Sequence, residues 1–281
     1  MTPHLIHVGY PKTASNFLRT WFEEHEEIGF AHGKVAGFGN VQEIARAGEG
    51  RGPLLRVTSS ENFIAPGGGG DFAEDQVRIC GRLSALFSGA HVLIVTRGFR
   101  SMILSSYSQH VRCGGTIEIA EMAAQGLAAG AWDYDRAVAL YAGAFGADKV
   151  MVLPWELLRD DPGAFTAAIE GRFGLVRGPL PEQRINAALS GAELRWYPAI
   201  GQRIAALPVG RRVRARLSAA FAKAAFGNRL KRPIALLQRL RPKAAVGAEA
   251  IPEALLERFR GHASSLAALP AYAPYGNDYL F

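Results

Sequence analysis

Short apolar runs rich in β-branched residues alternate with stretches of helical periodicity along the first two thirds of this 281-residue chain. Such alternation is typical of strands joined by crossover helices, which form a parallel sheet covered by helices. We therefore predict an α/β fold with a central, mostly parallel sheet. The predicted strands are residues 5–9, 54–58, 91–96 and 149–154, and the predicted helices are residues 15–25, 75–87, 99–112, 134–145 and 162–173.

Composition excludes several other classes of protein. Hydrophobic residues make up 49% of the chain and charged residues 20%, which is too apolar for a disordered protein. No apolar run of about 18 residues predicts a membrane-spanning helix, and the N-terminus lacks the pattern of a signal peptide. Cys80 and Cys113 are too few for a disulfide framework and form no metal-binding pair. We expect a cytoplasmic protein.

Positive charge is concentrated in residues 203–243, which hold nine arginines, three lysines and no acidic residue. Apolar residues recur there at helical spacing, which predicts two cationic amphipathic helices. Such helices either bind an anionic membrane, here at its inner face, or an acidic acceptor, or they cover the core and turn a charged face to water. The pattern alone leaves these possibilities open. Nucleic acid is disfavoured, because neither interleaved aromatics nor a known binding module accompanies the charge.

The change in composition at the start of this basic stretch, near residue 199, suggests domain boundaries. We predict a core over residues 1–198, a basic helical insertion over residues 199–250, and a segment over residues 251–281 that returns to the core and packs its tyrosines against it. The four glycines at residues 67–70 predict a flexible surface loop, with no pattern of a cofactor site.

The turn after the first predicted strand is suited to binding a phosphate. Backbone N–H groups and the helix dipole converge on an anion where a strand passes into a helix. Lys12 adds a positive charge, and short side-chain donors follow at Thr13, Ser15 and Asn16. The Walker A pattern of metal-dependent ATPases is not met, because Pro11 stands where glycine precedes the lysine. In the alternative interpretation the turn is purely structural and Ser15 only caps the helix.

A second phosphate site is predicted after the strand at residues 91–96. Arg97 follows this strand directly, and Ser105 lies eight positions further on, in the next predicted helix. A guanidinium and a hydroxyl placed in this way can hold one phosphate. Two separate phosphate sites on one sheet suggest a nucleotide that is phosphorylated at both ends.

These two loops resemble those of the sulfotransferase family, which uses 3′-phosphoadenosine 5′-phosphosulfate (PAPS) and releases 3′-phosphoadenosine 5′-phosphate (PAP). The YPK(S/T)GTTW-like loop of the family is similar to residues 10–17, YPKTASNF, and its arginine and serine for the 3′-phosphate are similar to Arg97 and Ser105. Departures from the pattern are Ala14 for glycine, Asn16 for threonine and Phe17 for an adenine-stacking tryptophan.

The resemblance extends to two further stretches. Residues 152–162 are similar to the family's strand and "YEDL…DP" turn, in which Trp155 would either line the adenine pocket or simply belong to the core. Residues 184–190 are similar to an "N-x-S" stretch of bacterial members. The family is a P-loop-like three-layer sandwich, so the resemblance implies that fold for residues 4–190.

The resemblance also implies a reaction. This is in-line transfer of a sulfuryl group from PAPS to a hydroxyl of a glycan, a lipid-linked sugar or another small metabolite, with residues 12–17 around the phosphosulfate and Lys12 stabilising the leaving phosphate. No metal is required. The sequence also offers no metal site, because His4 and His7 stand three apart on a predicted strand and so point to opposite faces.

The acceptor hydroxyl needs a base. Residues 56–61 align with an "R-x-x-K-T-H" stretch of the family, and Glu61 falls in the place of the histidine. A carboxylate can serve if burial raises its pKa toward neutrality; otherwise Glu61 only caps or braces its loop. His110 is the reserve candidate, with a surface histidine of no catalytic role as the alternative.

Two other functions stay open on the sequence alone. One is a non-catalytic nucleotide-binding or membrane-surface module in which the basic helices carry the function. The other is a P-loop kinase, which would require Mg²⁺ and ATP.

Overall fold

A computed structural model of the chain describes residues 2–31, 54–64, 71–182 and 189–281. The predicted loop at residues 67–70 and most of the "N-x-S" stretch lie outside the described residues. The chain divides into two compact units. The first unit comprises Met1–Phe99, Leu127–Arg184 and Phe259–Phe281, and the second unit comprises Arg100–Gly126 and Ile185–Arg258.

A five-stranded sheet forms the centre of the first unit. Its strands are β1 (His4–Gly9), β2 (Ile28–Ala31), β3 (Leu55–Ser60), β4 (His91–Thr96) and β5 (Val150–Pro154). Their order is β2-β3-β1-β4-β5, and every neighbouring pair is parallel. The predicted α/β fold class is therefore confirmed. Strand β2, which has four residues and lies at the edge of the sheet, was not predicted.

The described residues form twelve α-helices. They are α1 (Ser15–Glu24), α2 (Phe72–Leu86), α3 (Phe99–Arg112), α4 (Ile119–Ala128), α5 (Tyr134–Phe145), α6 (Trp155–Asp160), α7 (Pro162–Phe173), α8 (Gly191–Ala206), α9 (Arg211–Phe226), α10 (Lys231–Leu240), α11 (Glu253–Glu257) and α12 (Gly276–Tyr279). Short 3₁₀ helices lie at Glu61–Phe63, Ala147–Lys149, Ala248–Ala250, Arg260–His262, Ser264–Ala268 and Pro270–Tyr275. Helices α3, α5 and α7 begin and end at the predicted residues.

The order of the strands places the two predicted phosphate loops side by side. After β1 the chain continues to β2 and β3 on one side, whereas after β4 it continues to β5 on the other. In a parallel sheet, the loops diverge at such a point and leave a crevice at the carboxyl ends of the strands. Gly9 at the end of β1 pairs with Val95 near the end of β4. The loops that begin at Tyr10 and Arg97 therefore leave the sheet at this crevice.

Both faces of the sheet are buried, as expected for parallel strands. On one face Leu5, Leu93 and Val95 share a hydrophobic core with residues of α1 and α7. The alternate residues, such as Ile6 and Ile94, point to the opposite face and are also fully buried. Each such side chain contributes about 1.5–3 kcal/mol on burial, which holds the strand ends in place.

In the second unit, α8 packs against both α9 and α10. A capping box begins α8, because Ser190 Oγ accepts from the Glu193 N–H and the Glu193 carboxylate accepts from the Ser190 N–H. This helix runs through residue 199 without a break. The two cationic amphipathic helices predicted in residues 203–243 are confirmed as α9 and α10.

None of the helices in the described part of the chain combines the length and the apolar character that a membrane span needs.

The last residues of the chain complete the first unit. Tyr272, Tyr275 and Tyr279 are buried there. The hydroxyls of Tyr272 and Tyr279 lie 2.7 and 3.0 Å from Thr96 Oγ1, at the end of β4. The C-terminal tyrosines thus lie next to the start of the loop that follows β4.

Candidate functional site

Thr13 closes the turn between β1 and α1. Its N–H and its hydroxyl both donate to the carbonyl oxygen of Tyr10, at 3.3 and 2.6 Å, and the residue is fully buried. Because a hydroxyl has one proton to donate, the Thr13 side chain shapes the loop. From the sequence, this hydroxyl was expected to be a donor for a phosphate.

Two residues of this turn adopt a left-handed backbone conformation. Lys12 and Ala14 both have φ near 73°, which costs a residue with a Cβ roughly 1–2 kcal/mol. Ala14 is the position at which the resembling family carries glycine, and glycine adopts this conformation without strain. Backbone strain of this kind is concentrated at binding and catalytic sites.

Helix α1 begins without a side-chain cap. Its N-cap is Ala14, which has no hydroxyl or carboxylate to offer, and Ser15 is the first helical residue. The interpretation that Ser15 caps the helix is therefore wrong. Ser15 Oγ is buried and makes no hydrogen bond to any described residue. At a helix start without a side-chain cap, the first N–H groups and a nearby hydroxyl that lacks a partner can together bind an oxyanion.

Asn16 and Phe17 occupy the first turn of α1 in different environments. Asn16 is exposed, and its Oδ1 accepts from Arg19 Nη2 at 3.4 Å. Phe17 is half-buried and packs against the core on the α1 face of the sheet.

Arg97 joins the loop after β4 to the loop after β1. Its Nη1 donates to the carbonyl oxygen of Lys12 at 2.9 Å. Its guanidinium also stacks on the Trp155 indole, 3.8 Å from the ring centroid. Burial lowers the pKa of Arg97, while the charge of Glu156 raises it, and an arginine stays protonated in proteins. A fixed positive charge therefore lies beside the Lys12 turn.

Trp155 supports Arg97 at the start of α6. Besides Arg97, the guanidinium of Arg159 lies 5.6 Å from the ring centroid, and the indole also packs against the core. The arginine stack occupies one face of the ring. The packing agrees with the alternative that Trp155 belongs to the core, whereas the arginine stack was not expected from the sequence.

A buried carboxylate holds the backbone next to Arg97. Glu156 is fully buried, and its two oxygens accept from the Gly98 N–H at 3.0 Å and from the Tyr279 hydroxyl at 2.9 Å. Burial raises the pKa of this carboxyl. Any Cβ at residue 98 would lie 2.6 Å from the Cβ of Asp278, so only glycine fits there. Glu156 was not predicted to be a functional residue, although it lies within the stretch that resembles "YEDL".

His7 and Ser59 form a buried pair below the β1–α1 turn. His7 Nδ1 lies 2.7 Å from Ser59 Oγ, and burial lowers the pKa of the imidazole to about 4, so the ring is neutral. A Cβ at Gly9 would lie 2.9 Å from the His7 ring and 3.4 Å from Ser15 Oγ. Glycine at this position thus leaves room for the His7 imidazole and the Ser15 hydroxyl next to the end of β1.

His4 and His7 point to opposite faces of the sheet, as predicted. His4 Nε2 lies 2.9 Å from Thr58 Oγ1, whereas His7 bonds to the neighbouring residue Ser59. Among the described residues, no cluster of three or more histidine, cysteine, aspartate or glutamate side chains is arranged to hold a metal ion.

Glu61 lies at the same edge of the sheet as Lys12. It follows β3, whose last residue Ser60 pairs with Val8 of β1. Its side chain is exposed, so the burial that the assignment as base requires is not met in this structure. The capping alternative also fails, since the cap of this 3₁₀ helix is Ser60, whose Oγ accepts from the Asn62 N–H.

Ser105 and His110 belong to the second unit and are described within it. Ser105 is half-buried on α3. His110 is half-buried near the end of this helix, where burial lowers its pKa. A Cβ at Gly115 would overlap the His110 ring, so this histidine is packed against its own unit and is not a fully solvated surface residue.

Comparison with known proteins identifies the fold. No protein-family model and no curated protein matches the sequence. Among solved structures, the chain is similar to a sulfotransferase from Alicyclobacillus acidocaldarius, with 16% identity and a TM-score of 0.51 over 83% of this chain and 96% of that chain. It is also similar to mouse sulfotransferase SULT7A1 complexed with PAP, with 12% identity and a TM-score of 0.44 over 74% and 69% of the two chains. The first of these similarities shows that the chain has the sulfotransferase fold.

Proposed function

We propose that this chain is a PAPS-dependent sulfotransferase that sulfates a hydroxyl of a glycan, a lipid-linked sugar or another small metabolite. The observation that carries the proposal is the hydrogen bond from Arg97 to the carbonyl of Lys12, because it joins the two loops whose motifs resemble the nucleotide-binding loops of that family. Both loops leave the sheet at its topological switch point, where parallel α/β sheets bind ligands.

The residues of the β1–α1 turn fit an anionic group. The first turn of α1 has no side-chain cap, Ser15 Oγ is buried without a hydrogen-bond partner among the described residues, and the Arg97 guanidinium is adjacent. These donors and this charge are what a phosphosulfate requires. We assign the 5′-phosphosulfate to residues 12–17, and the 3′-phosphate to Arg97 together with Ser105. Trp155 would contribute to the adenine site indirectly, because its ring holds the Arg97 guanidinium in position.

The chemistry follows from these assignments. PAPS, when bound, would supply the sulfuryl group and leave as PAP. Lys12 would stabilise the negative charge that develops on the bridging phosphate oxygen as its bond to sulfur breaks, a kind of electrostatic help worth about 3 kcal/mol. The acceptor oxygen forms the new bond to sulfur, and its proton passes to a base. No metal enters this scheme.

We assign the role of base to Glu61, with His110 as the reserve. Glu61 lies at the carboxyl edge of β3, next to the strand that carries the Lys12 turn. Because Glu61 is exposed, the acceptor itself would have to displace water from the carboxylate before it could take the proton. This requirement favours an acceptor large enough to cover the edge of the sheet, such as a sugar.

Calorimetry with PAP tests the nucleotide site directly. The wild-type chain should bind PAP, and Lys12→Ala and Arg97→Ala should each weaken binding at least tenfold. Lys149→Ala is the matched control, because Lys149 precedes β5 and so lies at the amino end of that strand. Identical affinity in all four proteins would refute the assignment of the site.

Mass spectrometry tests the reaction itself. Incubation with PAPS and a panel of hydroxyl-bearing acceptors should yield a product heavier by one sulfate. Glu61→Gln should abolish turnover and leave PAP affinity nearly unchanged; normal turnover in this variant would transfer the role to His110. A reaction that instead required Mg²⁺ and ATP would identify a kinase, and PAP binding without transfer to any acceptor would identify a nucleotide-binding module.

A further inference from the structure

The helices α9 and α10 each carry exposed aliphatic side chains. On α9, Val213 and Leu217 stand one turn apart and are 48% and 39% exposed. On α10, Leu236 and Leu240 also stand one turn apart and are 58% and 72% exposed. Exposed aliphatic residues in such pairs on neighbouring helices are not the scattered apolar residues of an ordinary protein surface.

The exposed pair of α10 is distinct from the packing surface of the second unit, whereas Val213 and Leu217 stand eight and four residues before the buried Phe221 and so lie on the same side of α9 as that residue. Helix α9 buries Phe221 and Ala225, and Phe221 meets Tyr197 of α8 in a T-shaped contact with ring centroids 5.5 Å apart. Helix α10 buries Ile234. Because successive helical residues are rotated by about 100°, Leu236 is turned about 200° from Ile234. Helix α10 therefore packs against its unit without Leu236 and Leu240.

Arginines flank the exposed aliphatic pairs on both helices. On α9, Arg212 and Arg216 are exposed next to Val213 and Leu217. On α10, Arg232 and Arg239 are exposed on the side of the helix adjacent to Leu236. We call the surface that Arg232, Leu236, Arg239 and Leu240 form on the exposed side of α10 the cationic face.

We propose that the cationic face docks onto the surface of an anionic lipid bilayer. The twelve basic residues within 203–243 are not offset by a single acidic one, so this part of the chain complements a negatively charged surface. Aliphatic side chains bordered by arginines suit the headgroup region, where the arginine stems remain in contact with hydrocarbon and their guanidinium groups stay with the phosphates. A bilayer accepts such side chains without a preformed pocket.

The same observations disfavour other occupants. A second copy of the chain would bring two strongly positive surfaces together, which is repulsive. Single-stranded nucleic acid would complement the charge, but it is bound through exposed aromatic rings on which bases stack. The exposed apolar members of the cationic face are instead leucines. An acidic protein would need a shape that matches this helix.

Vesicle co-sedimentation of the full-length chain tests this proposal. The probe is a vesicle of equal parts phosphatidylcholine and phosphatidylglycerol, with pure phosphatidylcholine as the neutral comparison. We expect binding to the mixed vesicles and much weaker binding to the neutral ones. Binding should fall when the salt rises from ~0.15 M to ~1 M, because the screening length then falls from about 8 to about 3 Å. Equal binding to both vesicles, or none to either, would overturn the proposal.

Paired substitutions locate the surface. Arg232→Gln with Arg239→Gln should lower the partition coefficient about 25-fold, or about fivefold for each charge. Leu236→Ser with Leu240→Ser should lower it about tenfold. The matched control is Val77→Ser with Arg82→Gln on α2, where Val77 is 59% exposed against 58% for Leu236; it should bind like the wild type. All six side chains are exposed, so each variant should have the same thermal unfolding midpoint as the wild type.

Two results of these substitutions would count against a lipid surface. If the control pair lowered binding as much as the α10 pairs do, attraction would come from net charge and not from the cationic face. If wild-type chain bound single-stranded nucleic acid in preference to the mixed vesicles, with the same loss in the arginine variant, the surface would serve that ligand. The proposal does not depend on the transfer reaction, since vesicle binding needs neither PAPS nor Lys12.

Discussion

Arg97 Nη1 donates a hydrogen bond to the main-chain carbonyl of Lys12 across 85 positions of sequence, at 2.9 Å. The bond ties together the two loops that follow the neighbouring strands β1 and β4. Arg97 is held from its other side by the Trp155 ring, 3.8 Å away. Arg97 therefore fixes the position of the Lys12 turn, and it also supplies a positive charge beside that turn.

Replacing Arg97 by lysine should weaken PAP binding by roughly 10- to 100-fold. Lysine keeps the charge, but it loses the planar stack on Trp155 and the geometry of the bond to Lys12, and a hydrogen bond from a charged group is worth about 1.5–3 kcal/mol. Calorimetry with PAP measures the change. Arg159→Lys is the control, because Arg159 lies 5.6 Å from the same ring but pairs with Asp160. Equal affinity of Arg97→Lys and wild type would show that charge alone matters.

The strained turn gives a second prediction. Ala14→Gly should stabilise the chain by about 1 kcal/mol, because Ala14 has a φ of 73° that glycine adopts freely. Urea unfolding measures this change. The same substitution at Ala124, an exposed residue within α4, should destabilise by about 1 kcal/mol. If both variants lose stability, the left-handed conformation of Ala14 is not a cost to the fold.

Local patterns along the chain predicted most of the fold. The β-branched run of β4 predicts a strand without any information from the rest of the chain, and Asp161 followed by Pro162 predicts the start of α7. Both elements were predicted at the residues where the structure has them. Helix α8 was missed, since Pro198 and Gly201 lie within it and disrupt its propensity. Its capping box at Ser190 and Glu193 was the signal that could have revealed it.

The candidate site was only partly predictable. Motif resemblance identified Lys12 and Arg97, each of which follows a strand that local patterning also predicts. The stack of Arg97 on Trp155 and the bond from Gly98 to Glu156 join the ends of β4 and β5, more than fifty residues apart in the chain. Which side chains meet at such a strand end depends on the order of strands, and no local pattern encodes that order.

The buried Glu156 network gives a third prediction. Tyr279→Phe should destabilise the chain by about 1–3 kcal/mol, because it leaves one oxygen of a fully buried carboxylate without its donor. Tyr107→Phe is the matched control. Tyr107 is equally buried, but its hydroxyl has no hydrogen-bond partner among the described residues, so losing this hydroxyl should change the unfolding free energy by less than about 0.5 kcal/mol. Equal losses in the two variants would mean that the Glu156 bond contributes nothing specific.

His7 should make stability fall with pH below about 6.5. Burial lowers its folded pKa from 6.5 to about 4. Above pH 6.5 the imidazole is neutral in both states, whereas between these two values the unfolded chain binds a proton that the folded chain does not. Unfolding is therefore favoured increasingly as the pH falls toward 4, by up to about 3 kcal/mol. His4, whose pKa is lowered for the same reason, acts in the same direction, and the raised pKa of Glu156 acts in the opposite one.

A variant isolates the contribution of His7 from these other groups. His7→Asn keeps a hydrogen-bonding side chain near Ser59 but does not titrate, so it should be less stable than wild type at pH 7 and lose less stability on acidification. Urea unfolding of both proteins at several pH values between 7 and 4 gives the difference. This difference should shrink steadily toward pH 4, because only the wild type carries a neutral buried imidazole that the unfolded state can protonate. A difference that stays constant over this interval would show that His7 has the same pKa in both states.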